Sequence, residues 1–117
     1  MTKAALVVYA GTDDSSDAGR VINAMVATKE FIEAGDEVKL VFDGAGTQWI
    51  PILESEEYEY HDLYTVVRDA VAVCGYCANA HGVENAVASA GLDRLTANDG
   101  HPSIRSLVAD EYEIVTF

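Results

Sequence analysis

The chain has 117 residues, half of them hydrophobic, with 20 Asp and Glu against 7 Lys and Arg, a formal net charge of −13. That length suits one domain spanning residues 1–117 with a single unstapled core, and the apolar fraction excludes a disordered chain. The negative balance argues against nucleic acid and anionic membranes as partners, since both ask for a cationic face.

The run "AALVVYA" (Ala4 to Ala10) is nearly all apolar, as a strand covered on both faces should be. It is far shorter than the roughly 20 residues of a membrane span and carries no cleavage pattern, so a cytoplasmic, unexported protein is expected. "GTDDSSD" follows, with Gly11 at a turn and Ser15, Ser16 or Asp17 placed to cap a helix over 18–34, ended by Gly35. In that helix Val21, Ile22, Met25, Phe31 and Ile32 cluster on one side. "EVKLVFD" (Glu37 to Asp43) reads as a second strand, and "DGAGTQWIPIL" as a loop. A helix over 55–69 is expected next, with Tyr60, Leu63, Tyr64 and Val67 at helical spacing. The acidic "ESEEYEYHD" at its start is read as a solvated first turn that suits the helix dipole.

"AVAVC" (Ala70 to Cys74) is a short apolar third strand, and residues 77–90 turn helical again until Gly91. "DRLTAND" is a candidate for one further short strand. A last helix over 103–110, with Pro102 near its first turn and Ile104, Leu107 and Val108 inward, precedes the closing strand "YEIVTF". Strands alternating with helices imply parallel pairing and right-handed crossovers. The expected fold is α/β: a three-layer sandwich, a mostly parallel sheet of four or five strands with helices on both faces. Ligands in such sheets sit beyond the carboxyl ends of the strands, where "GTDDSSD", "DGAGTQW" and "CGYCANAHG" converge.

The last of those loops holds Cys74 and Cys77, the only cysteines of the chain. Cys74 closes a strand and Cys77 falls in the first helical turn after it, where unsatisfied N–H groups favour thiolate. The alternative is two small buried hydrophobes. Zinc asks for four ligands; the segment offers three, Cys74, Cys77 and His81, with His101 the one distant candidate, so no metal is expected. His81 shares a helix face with Cys77. The glycine loops lack a phosphate-binding pattern, and no organic cofactor is expected. Asp43, Gln48 and Trp49 are candidates to line a pocket, with Trp49 equally suited to the core; Asn79 and His101 join them as candidate substrate-binding residues.

The cysteine segment with its following "GV", the "FDGAGTQW" loop and the closing "GHPSIRSLVADEYEIVTF" together resemble the DsrE/DsrF-like family of small sulfur-relay proteins. The resemblance covers essentially the whole chain in element order. It implies a parallel-type sheet flanked by helices, assembly as a homo-oligomer (trimer or hexamer), and a persulfide-carrying cysteine just after the third strand, which falls on Cys74. Cys77 has no counterpart in the relay members. The implied activity is sulfur transfer of sulfurtransferase type between a donor and an acceptor protein, with Cys77 able to resolve a persulfide on Cys74 and His81 and Asp43 tuning it. A CxxC thiol-disulfide redox protein and a non-catalytic oligomeric module binding a small ligand or protein are the alternatives.

Dispersed acidity with only three lysines also matches proteins of high-salt cytoplasm, where screening weakens self-repulsion. The melting temperature should therefore fall as potassium chloride is diluted from molar to millimolar. A flat profile would rule out this account of the charge.

Overall fold

The computed structural model describes residues Met1–Phe117. Five strands, all parallel, form one sheet: β1 Lys3–Val8, β2 Glu37–Phe42, β3 Val71–Cys74, β4 Asp93–Leu95 and β5 Glu113–Thr116, in the order β4-β3-β2-β1-β5. Six α-helices connect them: α1 Ser15–Glu33, α2 Trp49–Leu53, α3 His61–Val67, α4 Gly75–Ala80, α5 Glu84–Ala90 and α6 Ile104–Ala109. The α/β sandwich is as expected, and the candidate strand at "DRLTAND" is the edge strand β4. No helix is long and apolar enough to cross a membrane.

Handedness distributes the helices. From β1 to β4 the chain steps across the sheet in one direction, so right-handed crossovers keep α1 to α5 on one face. There Val21, Met25, Ile50, Leu53, Tyr64 and Val87 pack with Leu6, Phe42 and Val73 in one buried cluster. The last connection returns over the sheet to the far edge, and the same hand requires the opposite face. On that side Pro102 and Leu107 share a hollow with Lys39, Leu95 and Tyr112. Alternate residues of the central strands, among them Ala5, Val7, Val41 and Cys74, point away from the main cluster and are buried as well.

Several boundaries differ from the sequence expectation. α1 begins earlier, because Asp14 is the cap and its carboxylate accepts the Asp17 N–H at 3.0 Å. Ile32 is exposed, while Val21 and Met25 are fully buried. The "DGAGTQWIPIL" segment is ordered into a 3-10 turn, Gly44–Gln48, and α2. Pro51 fits inside α2 because a residue of a first helical turn needs no N–H partner. The helix expected over 55–69 starts only at His61. Glu54, Glu56, Glu57 and Glu59 would crowd like charges along one helix, and the chain instead turns at Ser55–His61 with Tyr58 packed between Trp49 and Tyr60. Tyr60, expected inward, is exposed, as is Val108 on α6. The single helix expected over 77–90 is two, because Gly82 adopts φ +71° between α4 and α5.

Glu54, at the C-cap of α2, is a structural tie and not part of a solvated first turn. It accepts from the Tyr64 hydroxyl and from Arg68 Nε at 2.8 Å, while Arg68 also donates to Ala90 O at the end of α5. Burial works to raise the Glu54 carboxyl, but the hydrogen bonds from Arg68 and Tyr64 prevail and hold it below its usual value. A depressed carboxyl contributes stability above its unfolded pKa of about 4.3, and loses it as pH falls through the folded value. Glu54→Ala should cost about 1–2 kcal/mol at neutral pH, given partial exposure of the pair. It should also flatten the loss of stability on acidification. A melting temperature and acid profile like the wild type's would show that water replaces the tie without cost.

Candidate functional site

Strand order brings the ends of β2, β3 and β4 side by side, each delivering one polar side chain. β3 and β4 leave the sheet toward opposite faces, which opens a crevice between their carboxyl ends, where such sheets bind ligands. Cys74 ends β3 and caps α4, its sulfur accepting the Cys77 N–H at 3.3 Å. That bond places Cys77 one turn on, its sulfur facing the end of β2. There Asp43 Oδ1 accepts the Gly44 N–H at 2.8 Å and stands 3.6 Å from the Cys77 sulfur, within the longer reach of an S–H donor.

His101 arrives from the loop after β4. Asn98 and His101 exchange backbone bonds across Asp99 and Gly100, both at positive φ, the pattern of a type I′ turn that Asp-Gly favours. The turn is latched to α4 by the Tyr76 N–H, which donates to Gly100 O at 2.9 Å, and the Tyr76 ring packs on the imidazole at 4.6 Å between centroids. His101 Nδ1 is thereby 3.5 Å from the Cys74 sulfur and 4.0 Å from that of Cys77. Ligating atoms of Asp43, Cys74, Cys77 and His101 all lie within 4.8 Å of one another.

The two thiols, both free, differ in access: Cys74 is 0% exposed, Cys77 half-buried. Burial pushes the Cys74 thiol up to about 12, with Asp43 adding to the rise and the Cys77 N–H opposing it. Burial thus favours the protonated thiol at Cys74. Dipole and N–H groups of a short helix do not offset complete desolvation.

The other expected residues divide. His81, at the C-cap of α4, is exposed and outside the cluster. Asn79 lies on a polar groove of about 360 Å³ beside the thiols, with Gly75, Tyr76, Arg94, Thr96 and Gly100. Trp49 is core: it is buried and donates to Gly11 O at 2.7 Å, tying α2 to the loop after β1. Gln48 lies at the same loop, near Gly11. Tyr9 and Tyr76, which residue pattern did not single out, flank the cluster. Tyr9 is raised by burial and then by the negative charge of Asp43 and the cysteines. Tyr76 was legible through its place between the cysteines.

No family model matches the chain. The uncharacterized protein MJ0733 of Methanocaldococcus jannaschii is 29% identical over 97 residues, 81% of this chain and 78% of that protein. Among solved structures, the conserved protein of unknown function BT1422 from Bacteroides thetaiotaomicron superposes with a TM-score of 0.63 at 10% identity, covering 97% of this chain and 94% of that one. The ychN protein from E. coli does so with a TM-score of 0.58 at 13% identity over the whole of both chains. These likenesses show the fold: a single-domain, all-parallel α/β sandwich, here bearing a cysteine pair at the carboxyl edge of the sheet.

Gly46 sets the position of Asp43 from below, since a Cβ there would sit 2.1 Å from Val8 O, a backbone atom that cannot swing away. Gly46→Ala should destabilise by about 1–3 kcal/mol or more. Gly19→Ala, mid-helix with nothing within 4 Å of the added methyl, should stabilise by about 0.5–1 kcal/mol. Equal melting temperatures for the two variants would show that the turn shifts freely.

Proposed function

We propose that the protein is a sulfur carrier that loads sulfane sulfur on Cys77, with Cys74 as the protected inner thiol. The supporting observation is the unequal exposure of two adjacent thiols: Cys77 is half-buried, while Cys74 is fully enclosed. The resemblance to sulfur-relay proteins supports the same chemistry, although it points to Cys74 as the loaded residue.

In the loading step the Cys77 sulfur attacks the outer sulfur of a donor persulfide R–S–SH. The donor S–S bond breaks, a new S–S bond forms on Cys77, and the donor leaves as the thiol R–SH with no net oxidation. The proton leaving Cys77 has an acceptor in reach, Asp43 Oδ1 at 3.6 Å, and a second in the tautomer that leaves His101 Nδ1, at 4.0 Å, unprotonated. Cys74 would resolve the persulfide to a disulfide only as a thiolate. Its elevated pKa and burial suppress that attack at neutral pH. The pair therefore favours holding sulfur for an acceptor thiol over cycling a disulfide, and it is this that sets the carrier ahead of the redox protein.

Reduced, metal-stripped protein incubated with a small-molecule persulfide should gain one sulfur atom in intact mass, removed by reductant. Cys77→Ser should lose the gain and Cys74→Ser should keep it. Loss in Cys74→Ser with retention in Cys77→Ser would return the loaded sulfur to Cys74. No gain in wild type would end the carrier proposal in favour of a binding module with inert thiols.

A further inference from the structure

We propose that Asp43, Cys74, Cys77 and His101 form a four-ligand site for one thiophilic divalent metal ion, with zinc the best fit. Spacing is the first ground. Tetrahedral coordination with metal–sulfur bonds of about 2.3 Å and metal–nitrogen or metal–oxygen bonds of about 2.0–2.1 Å separates neighbouring ligand atoms by roughly 3.3–3.8 Å. Here Cys74 Sγ and His101 Nδ1 are 3.5 Å apart, Cys77 Sγ and Asp43 Oδ1 3.6 Å, and Cys77 Sγ and His101 Nδ1 4.0 Å. The remaining pairs lie within 4.8 Å, so closing the cage takes a contraction of up to roughly 1–1.5 Å at the widest pair.

The second ground is charge. Asp43 is 9% exposed, yet none of the protein's ion pairs reaches it; those join Lys3 to Glu37 and Asp110, and Arg68 to Glu54. Buried carboxylates are paired with a cation or bind a metal, and here its side-chain partner is the thiol of Cys77. The third ground is rigidity, because each ligand is held by its own backbone anchor. Asp43 caps the 3-10 turn, Cys74 caps α4, and the imidazole is fixed by the Asn98–His101 bridge and the Tyr76 ring.

The donor set decides the ion. Two thiolates exclude magnesium and calcium, while a carboxylate and an imidazole beside them suit zinc. Binding releases the two thiol protons and completes the ion's coordination from within the chain, as in closed structural sites. Both sulfurs are then occupied. Resting on the carrier proposal, it follows that metal binding and sulfur loading exclude one another.

Cobalt(II) titration of the reduced, metal-stripped full chain tests the site. One equivalent should give thiolate-to-cobalt charge-transfer bands and the intense visible bands of tetrahedral cobalt, bleached by zinc. Asp43→Asn and His101→Ala should each weaken binding by roughly tenfold or more, the least that loss of even an outer-shell partner costs. His81→Ala should change nothing. X-ray absorption of the zinc-loaded wild type needs no variant and should show two sulfur and two nitrogen or oxygen neighbours. An all-oxygen shell, or the weak octahedral cobalt spectrum of surface carboxylates, would overturn the site, as would wild-type affinity in both Asp43→Asn and His101→Ala. Sulfur loading of the stripped protein without cobalt binding would remove the metal site and leave the carrier. Cobalt binding without loading would do the reverse.

Discussion

The right hand of the β–α–β crossover is the constraint on which the rest depends. Four strands laid down in one direction commit α1 to α5 to a single face, and the return to β5 has only the other face to use. The divergence falls between β3 and β4. That is why the loop carrying His101 turns toward the side on which Cys74 already points, and why His101 reaches both cysteines. Gly75 belongs to the same constraint: a Cβ there would press on the Thr96 side chain at 2.6 Å, so the start of α4 passes the end of β4 only without one.

The crevice concentrates negative charge in a chain that already carries a net −13. Asp43 and two ionisable sulfurs share a space of a few ångströms with a single imidazole and no lysine or arginine in an ion pair. Burial makes an anion on the Cys74 sulfur costly there, and the charge of Asp43 adds to the rise of its pKa. Chemistry at this site proceeds with a proton to share or a cation to compensate. The proposed carrier step would use the first, through Asp43 and His101, and the proposed metal site the second, so one electrostatic fact underlies both proposals.

Acidic residues elsewhere do different work. Glu54 joins α2, α3, Arg68 and the end of α5 through one carboxylate, whereas its neighbours Glu56, Glu57 and Glu59 are exposed. Identical residue types in one short segment thus separate into a tie and a solvated surface. Helical spacing alone placed them together, because it counts positions along a helix that like-charge crowding and the packing of Tyr58 keep from forming.

The sequence by itself determined the alternation of strands and helices, the parallel sheet, and the place of the cysteines. Apolar runs such as Val71 to Cys74 and the punctuation of Gly35 and Gly91 are local signals, and backbone sterics and burial act on them directly. Local signals also brought Asp43 to the end of β2. Only the tertiary structure decided which of these meet. Asp43 and His101 lie 58 positions apart in the chain and become neighbours of the same sulfurs because β2, β3 and β4 are adjacent in the sheet. His81, close to Cys77 in sequence, lies outside the cluster and is exposed. Burial of Cys74 was beyond the sequence for the same reason: whether a strand's last side chain is open or enclosed depends on what the opposite face supplies, here the return of the chain over the sheet.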